Sequence, residues 1–147
     1  SRVPTGDGFR SEGIPKCVAR VFPVVELHQH IMRGEQPSAG ELIANNAIHA
    51  GFVVGSGASR QDASGNPSLA IFADNRLLDE CEGPALIQTI SSSLRWLMEI
   101  VRNSGDRLGA GQVILTGSIP SLISIDEDCR IRVEASPFGS VEGKFVA

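Results

Sequence analysis

Apolar residues along the chain fall in short runs separated by glycine, proline and acidic residues, a pattern that favours strands over helices. The first run, KCVARVFPVVEL at residues 16–27, is rich in valine, and we expect it to form a mostly buried strand. Pro23 has no N–H group to donate, so it marks an edge or a bulge within that strand. Similar runs predict further strands at residues 51–55, 112–116, 122–125, 130–134 and 140–146.

Two helices are predicted among these strands. The first should begin at Ser38, because Ser38 and Glu41 have the spacing of a capping box, and it should run to about Ala50. The second should begin near Pro84, a residue that suits the first turn of a helix, and should end at Gly105. Within the second helix, apolar residues recur every three or four positions, which is typical of a helix that buries one face.

A hairpin is predicted just before the second helix. Apolar residues at 69–72 and 77–78 flank the sequence Ala73-Asp74-Asn75-Arg76, and aspartate and asparagine tolerate the backbone angles of a tight turn. Two helices among about seven strands make the chain an α+β domain dominated by sheet. We expect residues 1–15 to be a lead-in segment or linker and residues 16–147 to form a single domain.

The length and net charge of the chain exclude several classes of protein and of partner. A chain of 147 residues and 15.6 kDa suits one domain rather than two. Lysine and arginine number 13 against 17 aspartate and glutamate, which gives a formal net charge of −4. A net-acidic surface repels nucleic acid and anionic membranes, so we expect neither as a partner. No stretch of the sequence approaches the roughly 20 consecutive apolar residues that span a bilayer.

The three cysteines, Cys17, Cys81 and Cys129, stand far apart and include no CxxC pair. An odd and dispersed set argues against a disulfide framework and against a zinc knuckle. Cys17 and Cys129 lie in predicted strands, where a free cysteine behaves as a small buried hydrophobic residue. Because unpaired thiols fit a reducing compartment, we expect a cytoplasmic location.

The best local candidate for chemistry is the segment Glu26-Leu27-His28-Gln29-His30. If the strand continues through it, Glu26, His28 and His30 project from one face, with roughly 6.5–7 Å between alternate residues. Three such side chains could bind a divalent metal ion, and the carboxylate alone would suit Mg²⁺ or Mn²⁺. The competing interpretation is a solvated strand end that carries two histidines. We favour a single-ligand role for Glu26, because a glutamate that closes an apolar run needs a partner.

Two other polar segments are weaker candidates. His49 lies near the predicted end of the first helix, where the helix dipole favours an imidazolium, so a structural role is expected. Asn45 and Asn46, about one turn before His49, have low helix propensity. Their place within a predicted helix indicates either a functional contact or a buried hydrogen bond. Thr116-Gly117-Ser118 follows an apolar run, and hydroxyls on either side of a glycine can hold a carboxylate or carbonyl oxygen. The same three residues are also compatible with an ordinary turn.

Four segments resemble, in the same order, the C-terminal part of one enzyme family. They are VFPVVEL at 21–27, ELIANNAIHAGFVVG at 41–55, LGAGQVILTGS at 108–118 and FGSVE at 138–142. Together they resemble the 2-hydroxypentadienoate hydratase and 4-oxalocrotonate decarboxylase family, which belongs to the fumarylacetoacetate hydrolase superfamily. The segments are short, and their ordered succession carries the resemblance. It implies that this α+β chain adopts a mixed β-roll with two main helices.

The resemblance also implies an activity and a set of site residues. It implies a metal-dependent lyase, a hydratase or decarboxylase, that acts on a small 2-oxo or 2-hydroxydienoate carboxylate. In the family, three carboxylates hold a divalent ion, Mg²⁺ or Mn²⁺, which stabilises the enolate-like charge that develops on the substrate. Glu26 matches the last of these carboxylates. Asn46 falls where a polar residue near the metal is expected, and Ser118, with Thr116 beside it, falls where a hydroxyl meets the substrate.

The chain departs from the family in two respects. The other two metal carboxylates form a Glu-x-Glu pair ahead of the matched glutamate, and no Glu-x-Glu precedes Glu26 here. The lysine and aspartate that the family's hydratases contribute from their N-terminal half are also not matched. We therefore expect this chain to hold part of an active site, completed by a missing N-terminal half or by a homo-oligomer. Two alternatives are a non-catalytic binding or assembly subunit of the same fold, and a C–C bond hydrolase, which would need a water-activating base.

Overall fold

The computed structural model describes residues 13–29, 37–63 and 66–146 of the chain. Its two α-helices are α1 (Ala39–Ala44) and α2 (Pro84–Asn103), and short 3₁₀ turns lie at Asn46–Ile48 and Arg60–Ala63. Its strands are β1 (Arg20–Val21), β2 (Val24–His28), β3 (His49–Val54), β4 (Ala58–Ser59), β5 (Ser68–Ala73), β6 (Arg76–Glu82), β7 (Cys129–Ser136) and β8 (Gly139–Phe145). The described residues thus combine helix and sheet, and every strand pairing among them is antiparallel. The β-roll stays a prediction.

The predicted lead-in segment, residues 1–15, lies mostly outside the described residues. Ile14, close to its end, is buried and only 7 % exposed. At least this residue therefore packs with the rest of the protein. The assignment of residues 16–147 to a single domain stays a prediction.

Four strands form the main sheet, in the order β6-β5-β7-β8. The predicted hairpin is confirmed as β5 and β6, and its turn places Asp74 and Asn75 at φ angles of 46° and 71°. This left-handed conformation is one that aspartate and asparagine tolerate better than most residues. The strands predicted at 130–134 and 140–146 are confirmed as β7 and β8, which pair with each other along their length.

The hydrophobic core lies on one face of this sheet. Along β7, buried Ile131 and Val133 alternate with Arg132, as the sequence pattern predicts. Ile71 of β5 and Val141 of β8 complete a buried cluster with them, in which the four side chains are 4–8 % exposed. Burying each of these side chains contributes roughly 1.5–3 kcal/mol to folding. The main sheet is therefore the stable centre of the described structure.

Helix α2 is confirmed close to its predicted bounds. Pro84 occupies its first turn, and the chain leaves the helix through Gly105, whose φ is 80°. Leu94 is 4 % exposed, whereas Trp96, two residues later, is 64 % exposed. The helix thus packs one face against the protein and presents the other to solvent.

The predicted capping box of α1 is confirmed, but the predicted end of this helix is wrong. Ser38 Oγ accepts a hydrogen bond from the backbone N–H of Glu41, and the N–H and hydroxyl of Ser38 donate to the Glu41 carboxylate at 2.8 and 2.7 Å. The bonds from the Ser38 side chain and backbone lower the pKa of Glu41. The helix ends at Ala44 rather than near Ala50, because Asn45 caps it and donates from Nδ2 to the Glu41 carbonyl.

A left-handed turn fills the residues where the helix was expected to continue. Asn46, Ala47 and Ile48 have φ angles of 49°, 55° and 57°. Such a backbone costs roughly 1–2 kcal/mol for each residue that has a β-carbon, and asparagine is among the residues that tolerate it best. Because the turn redirects the chain into β3, His49 begins a strand. The expectation that His49 lies at a helix C-terminus is therefore wrong.

Three other strand predictions are corrected. Residues 112–116 and 122–125 form no strand. Gly111 and Gly117 bracket the first of these segments with φ angles of 84° and 86°, which interrupt an extended backbone. Residues 51–55 do contribute to a strand, β3, but this strand is not buried. Phe52 and Val54 are 39 % and 41 % exposed.

The first predicted strand is split in two by Pro23, as its missing N–H indicates. The segment before the proline, β1, pairs with β4, and the segment after it, β2, pairs with β3. We call the β2–β3 pair the ribbon. Just beyond β3, a β-carbon on Gly55 would overlap the backbone carbonyl of Ser140 in β8. This close approach packs one end of the ribbon against the main sheet.

All three cysteines are free thiols. Cys81 and Cys129 are half-buried in β6 and β7, and desolvation together with nearby carboxylates raises the pKa of both thiols, which disfavours the reactive thiolate. Cys17 is exposed in a turn, so the prediction that it is buried in a strand is wrong. Within the described ranges, no helix is long and apolar enough to cross a membrane.

Candidate functional site

The alternation of β2 places Glu26 on the outer face of the ribbon. Val25 packs against the core cluster of the main sheet. Successive side chains of a strand point to opposite faces, so Glu26 and His28 lie on the face that points away from this core. Both residues are exposed, which agrees with this orientation. The local pattern of the sequence therefore presents a carboxylate and an imidazole together.

A β-bulge brings His49 to the same face. In the register of the ribbon, Glu26 is opposite Phe52 and Leu27 is opposite Gly51, but His28 is opposite His49 rather than Ala50. The shift leaves Ala50 as an extra residue in β3. Residues directly opposite each other point to the same face of an antiparallel pair. Without the bulge, the three-residue separation between His49 and Phe52 would direct His49 to the other face.

The three side chains meet at a single carboxylate oxygen. Nδ1 of His49 lies 2.8 Å from Oε1 of Glu26, and Nε2 of His28 lies 3.5 Å from the same oxygen. A carboxylate anion can only accept hydrogen bonds, so the imidazole tautomer with its hydrogen on Nδ1 is the one that donates to ionised Glu26. The side chains of Glu26, His28 and His49 are 35 %, 31 % and 23 % exposed, so a ligand from solvent can reach them. We call these three residues the Glu26 cluster.

Phe52 forms an apolar wall beside the Glu26 cluster. It lies opposite Glu26 across the ribbon, and its ring centroid is 6.2 Å from that of His49, with the two planes tilted by 39°. An apolar neighbour reduces the access of water to one side of the imidazole and strengthens the interactions of the polar groups there. The cluster is thus polar at its centre and apolar on one side.

Asn46 contributes to this site through its backbone. Its carbonyl accepts a hydrogen bond from the N–H of His49 across the left-handed turn. Asn46 itself is exposed to solvent. This contact fixes where β3 begins, and hence which residue faces Glu26. A direct contact between the Asn46 side chain and a substrate or metal stays a prediction.

Thr116 and Ser118 lie in the irregular segment between α2 and β7. Thr116 is half-buried, Ser118 is exposed, and Gly117 between them has a φ of 86°. A β-carbon on Gly117 would meet no atom within 4 Å, so the backbone there is open to an approaching ligand. Among the described contacts, none joins either hydroxyl to the Glu26 cluster. Their role in substrate binding stays a prediction.

His30, the third member of the predicted Glu26-His28-His30 face, lies outside the described residues. Among the residues that the structure describes, no group of three or more histidine, cysteine, aspartate or glutamate side chains could hold a metal ion. A Glu-x-Glu sequence does occur after Glu26, as Glu80-Cys81-Glu82. It belongs to β6 of the main sheet rather than to the ribbon, and it follows Glu26 instead of preceding it.

His49 is the member of the cluster that was missed in the sequence. The adjacent Asn45 and Asn46 carried a usable signal, because asparagine is favoured both at a helix end and in a left-handed turn. Ending the helix there would have placed His49 in the following strand. The bulge at Ala50, which decides the face of His49, has no comparable local signature.

Comparison with known proteins gives one informative similarity, and no protein-family profile matches the chain. The chain is 25 % identical over 125 residues to a protein named 4-oxalocrotonate decarboxylase from Pseudomonas sp. These residues make up 85 % of this chain and 49 % of that protein, so the chain spans about half the length of the relative that it matches. The name of that relative agrees with one of the two activities that the resemblance implies.

Proposed function

We propose that this chain supplies part of the active site of a metal-dependent lyase, a decarboxylase or hydratase, that acts on a small 2-oxo or 2-hydroxydienoate carboxylate. The observation that carries the proposal is the similarity to a named decarboxylase along 85 % of the chain. The Glu26 cluster supports it, because a partly exposed carboxylate hydrogen-bonded to an imidazole is a pair that can move a proton, and the carboxylate can contribute one ligand to a cation.

The chemistry of such a substrate defines what the site must do. Decarboxylation breaks a C–C bond to a carboxylate and releases CO₂, and the electron pair that remains delocalises onto the 2-oxo oxygen. A proton then adds to carbon. The protein must therefore stabilise negative charge at the 2-oxo oxygen and hold the carboxylate that stays on the product.

The Glu26 cluster and the two hydroxyls at residues 116 and 118 have separate roles in this proposal. Glu26 would hold a divalent ion, which when bound supplies positive charge for the 2-oxo oxygen. His49 and His28 orient the Glu26 carboxylate through the contacts at 2.8 and 3.5 Å. The hydroxyls of Thr116 and Ser118 would bind the remaining carboxylate of the substrate.

The test is a turnover assay on the full-length gene product with Mg²⁺ or Mn²⁺. 4-Oxalocrotonate and a 2-hydroxydienoate are offered separately, and loss of substrate absorbance is followed together with CO₂ release. We expect consumption of one of them, and a Glu26→Ala variant without measurable turnover. The exposed Glu99 on α2 gives a matched control, Glu99→Gln, which should retain wild-type turnover. Absence of turnover on both substrates, or a fully active Glu26→Ala variant, would refute the proposal.

A non-catalytic assembly subunit is the second candidate function. It is favoured by the apolar side chains left exposed on β3 and α2, such as Val53, Trp96 and Ile100. Under this candidate, the chain joins copies of itself or a chain that supplies the other carboxylates. Light scattering would then give a mass above that of a monomer, while every turnover assay stays blank.

A further inference from the structure

The outer edge of β3 is a strand edge that has no partner within the described structure. Among the described strands, β3 pairs with β2 alone, so its other edge faces no strand. Phe52, Val53 and Val54 are 39 %, 37 % and 41 % exposed, although their side chains alternate between the two faces of the ribbon. Exposure on both faces indicates that no other described segment covers this end of β3. The edge is therefore accessible to another polypeptide.

The hydrogen bonds of the ribbon show which backbone groups of β3 point outward. The N–H of Gly55 donates to the carbonyl of Pro23 at 2.9 Å, so these two residues occupy a hydrogen-bonded position of the antiparallel pair. Such positions alternate along a strand, so Val53 also directs its backbone groups to β2, whereas Val54 and Phe52 direct theirs away from it. The free edge thus presents two N–H donors and two carbonyl acceptors.

The sequence of β3 lacks the features that protect other edge strands from pairing. Natural edge strands avoid unwanted pairing through charged side chains and proline. β3 contains no aspartate, glutamate, lysine, arginine or proline. The edge strands β6 and β8 of the main sheet and the other strand of the ribbon, β2, all carry charges, at Asp79, Glu80, Glu82, Glu142, Lys144 and Glu26. Two copies of a chain with a net charge of −4 repel each other, and β3 is the edge where they meet without opposed charges.

A second copy of β3 matches this edge by symmetry. When two β3 strands lie antiparallel about a two-fold axis at Val53, Phe52 of each copy is opposite Val54 of the other. Each of these residue pairs exchanges two N–H···O=C bonds, so every outward backbone group of Phe52 and Val54 gains a partner. The contact uses the free edge of β3 in both copies, and the assembly therefore closes as a dimer instead of growing into a filament.

We infer that the outer edge of β3 pairs with the same edge of a second copy of this chain, which joins the two ribbons into one four-stranded sheet. Directly opposite residues point to the same face, so Val54 of the second copy lies beside Phe52, the apolar wall of the Glu26 cluster. The second copy thus extends the apolar side of the candidate site. The inference depends on the strand edge and not on the proposed lyase activity.

The first test measures the mass of the full-length protein by analytical ultracentrifugation over a range of concentrations. We expect twice the mass of one chain at the highest concentrations. Val54→Pro removes an outward N–H from each copy and no bond to β2, so the dissociation constant of the dimer should rise at least about tenfold. Ile43→Lys is the control, because Ile43 is 82 % exposed on α1, and it should dimerise as the wild type does. A monomer at every concentration, or an unchanged Val54→Pro variant, would overturn the inference.

A variant on α2 separates this edge from another exposed apolar surface. Ile100 is 46 % exposed on α2, so Ile100→Lys would weaken a dimer that forms through that helix and should leave the β3 dimer intact. Loss of the dimer in Ile100→Lys, together with a wild-type mass in Val54→Pro, would place the interface on α2 and overturn the inference.

A second measurement does not depend on the variants folding. Amide hydrogen exchange of the wild-type protein is followed by NMR at a concentration where ultracentrifugation shows the dimer. The amides of Val53 and Gly55 bond to β2, and we expect those of Phe52 and Val54 to exchange as slowly as these two. Fast exchange at Phe52 and Val54 in the dimer would overturn the inference. A dimer with slow exchange at both residues and no turnover would refute the proposed lyase activity alone, and a monomer with turnover would refute this inference alone.

Discussion

The main sheet and the ribbon differ in how each of them is stabilised. In the main sheet, Ile71, Ile131, Val133 and Val141 are packed to 4–8 % exposure. In the ribbon, Phe52 and Val54 remain 39 % and 41 % exposed, and no residue of either strand is buried. A two-stranded pair is marginally stable alone, so the ribbon depends on the sheet through Val25 and the close approach at Gly55.

This difference in burial means that the residues that stabilise the fold are not the residues of the candidate site. The outer face of the ribbon contributes little to the core, so it can present Glu26 and two histidines to solvent without weakening the sheet. The left-handed turn at residues 46–48 and the bulge at Ala50 are local departures from regular structure that place His49 there. Such departures are often found where side chains are directed to a functional site.

The largest expected effect on stability comes from the core of the main sheet. Replacing Ile131, which is 4 % exposed, with alanine in Ile131→Ala removes methyl groups from the buried cluster. We expect the free energy of unfolding to fall by about 2–5 kcal/mol, as measured by chemical denaturation. Phe52→Ala in the ribbon is the control and should cost less than half as much, because Phe52 is 39 % exposed. Equal losses in the two variants would contradict the contrast between sheet and ribbon.

An intermediate effect is expected at the junction between the two regions. In Gly55→Ala, the new β-carbon would overlap the Ser140 carbonyl, so the ribbon must shift relative to β8. We expect a loss of about 1–3 kcal/mol in the free energy of unfolding. Gly40→Ala is the control, since Gly40 lies in α1 and a β-carbon there meets no atom within 4 Å. That change should be neutral or stabilising, because alanine is the better helix former.

The smallest effect is expected at the capping box of α1. Ser38→Ala removes the hydroxyl that bonds the Glu41 backbone and carboxylate, and should cost about 1 kcal/mol. The pKa of Glu41 is lower in the folded protein than in the unfolded chain, so the stabilisation is present above the unfolded pKa. It is lost as the pH falls through the folded pKa. Thermal unfolding should therefore show a difference between wild type and Ser38→Ala that shrinks in acid, and a constant difference would count against the predicted linkage.

Local patterns in the sequence predicted much of this fold. The capping box, the hairpin turn at residues 74–75, the apolar repeat of α2 and the alternation of β7 each depend on residues close in sequence, and each is confirmed. The irregular course of residues 112–116 and 122–125 was not predictable. Ile123 and Ile125 pack against the core without strand pairing, whereas Val113 and Leu122 are exposed. Whether an apolar run pairs depends on distant strands, which a local pattern does not reveal.

The candidate site, like the fold, was only partly predictable from local sequence. Glu26 was identified from its place at the end of an apolar run and from a family resemblance, and the alternation of β2 placed His28 beside it. His49 was assigned to a helix end. Its true position depends on the left-handed turn at residues 46–48 and on pairing with β2, which comes about twenty residues earlier in the chain. Contacts between separate segments therefore had to come from the structure.

The central claim is that the ribbon carries the residues of the proposed activity while the main sheet stabilises the fold. The most direct test compares turnover and melting temperature in Glu26→Gln, a variant of nearly the same size that loses the negative charge. We predict that turnover on the consumed substrate falls at least about 100-fold while the melting temperature stays close to that of the wild type. Wild-type turnover in Glu26→Gln, or a loss of activity accompanied by unfolding, would contradict the claim.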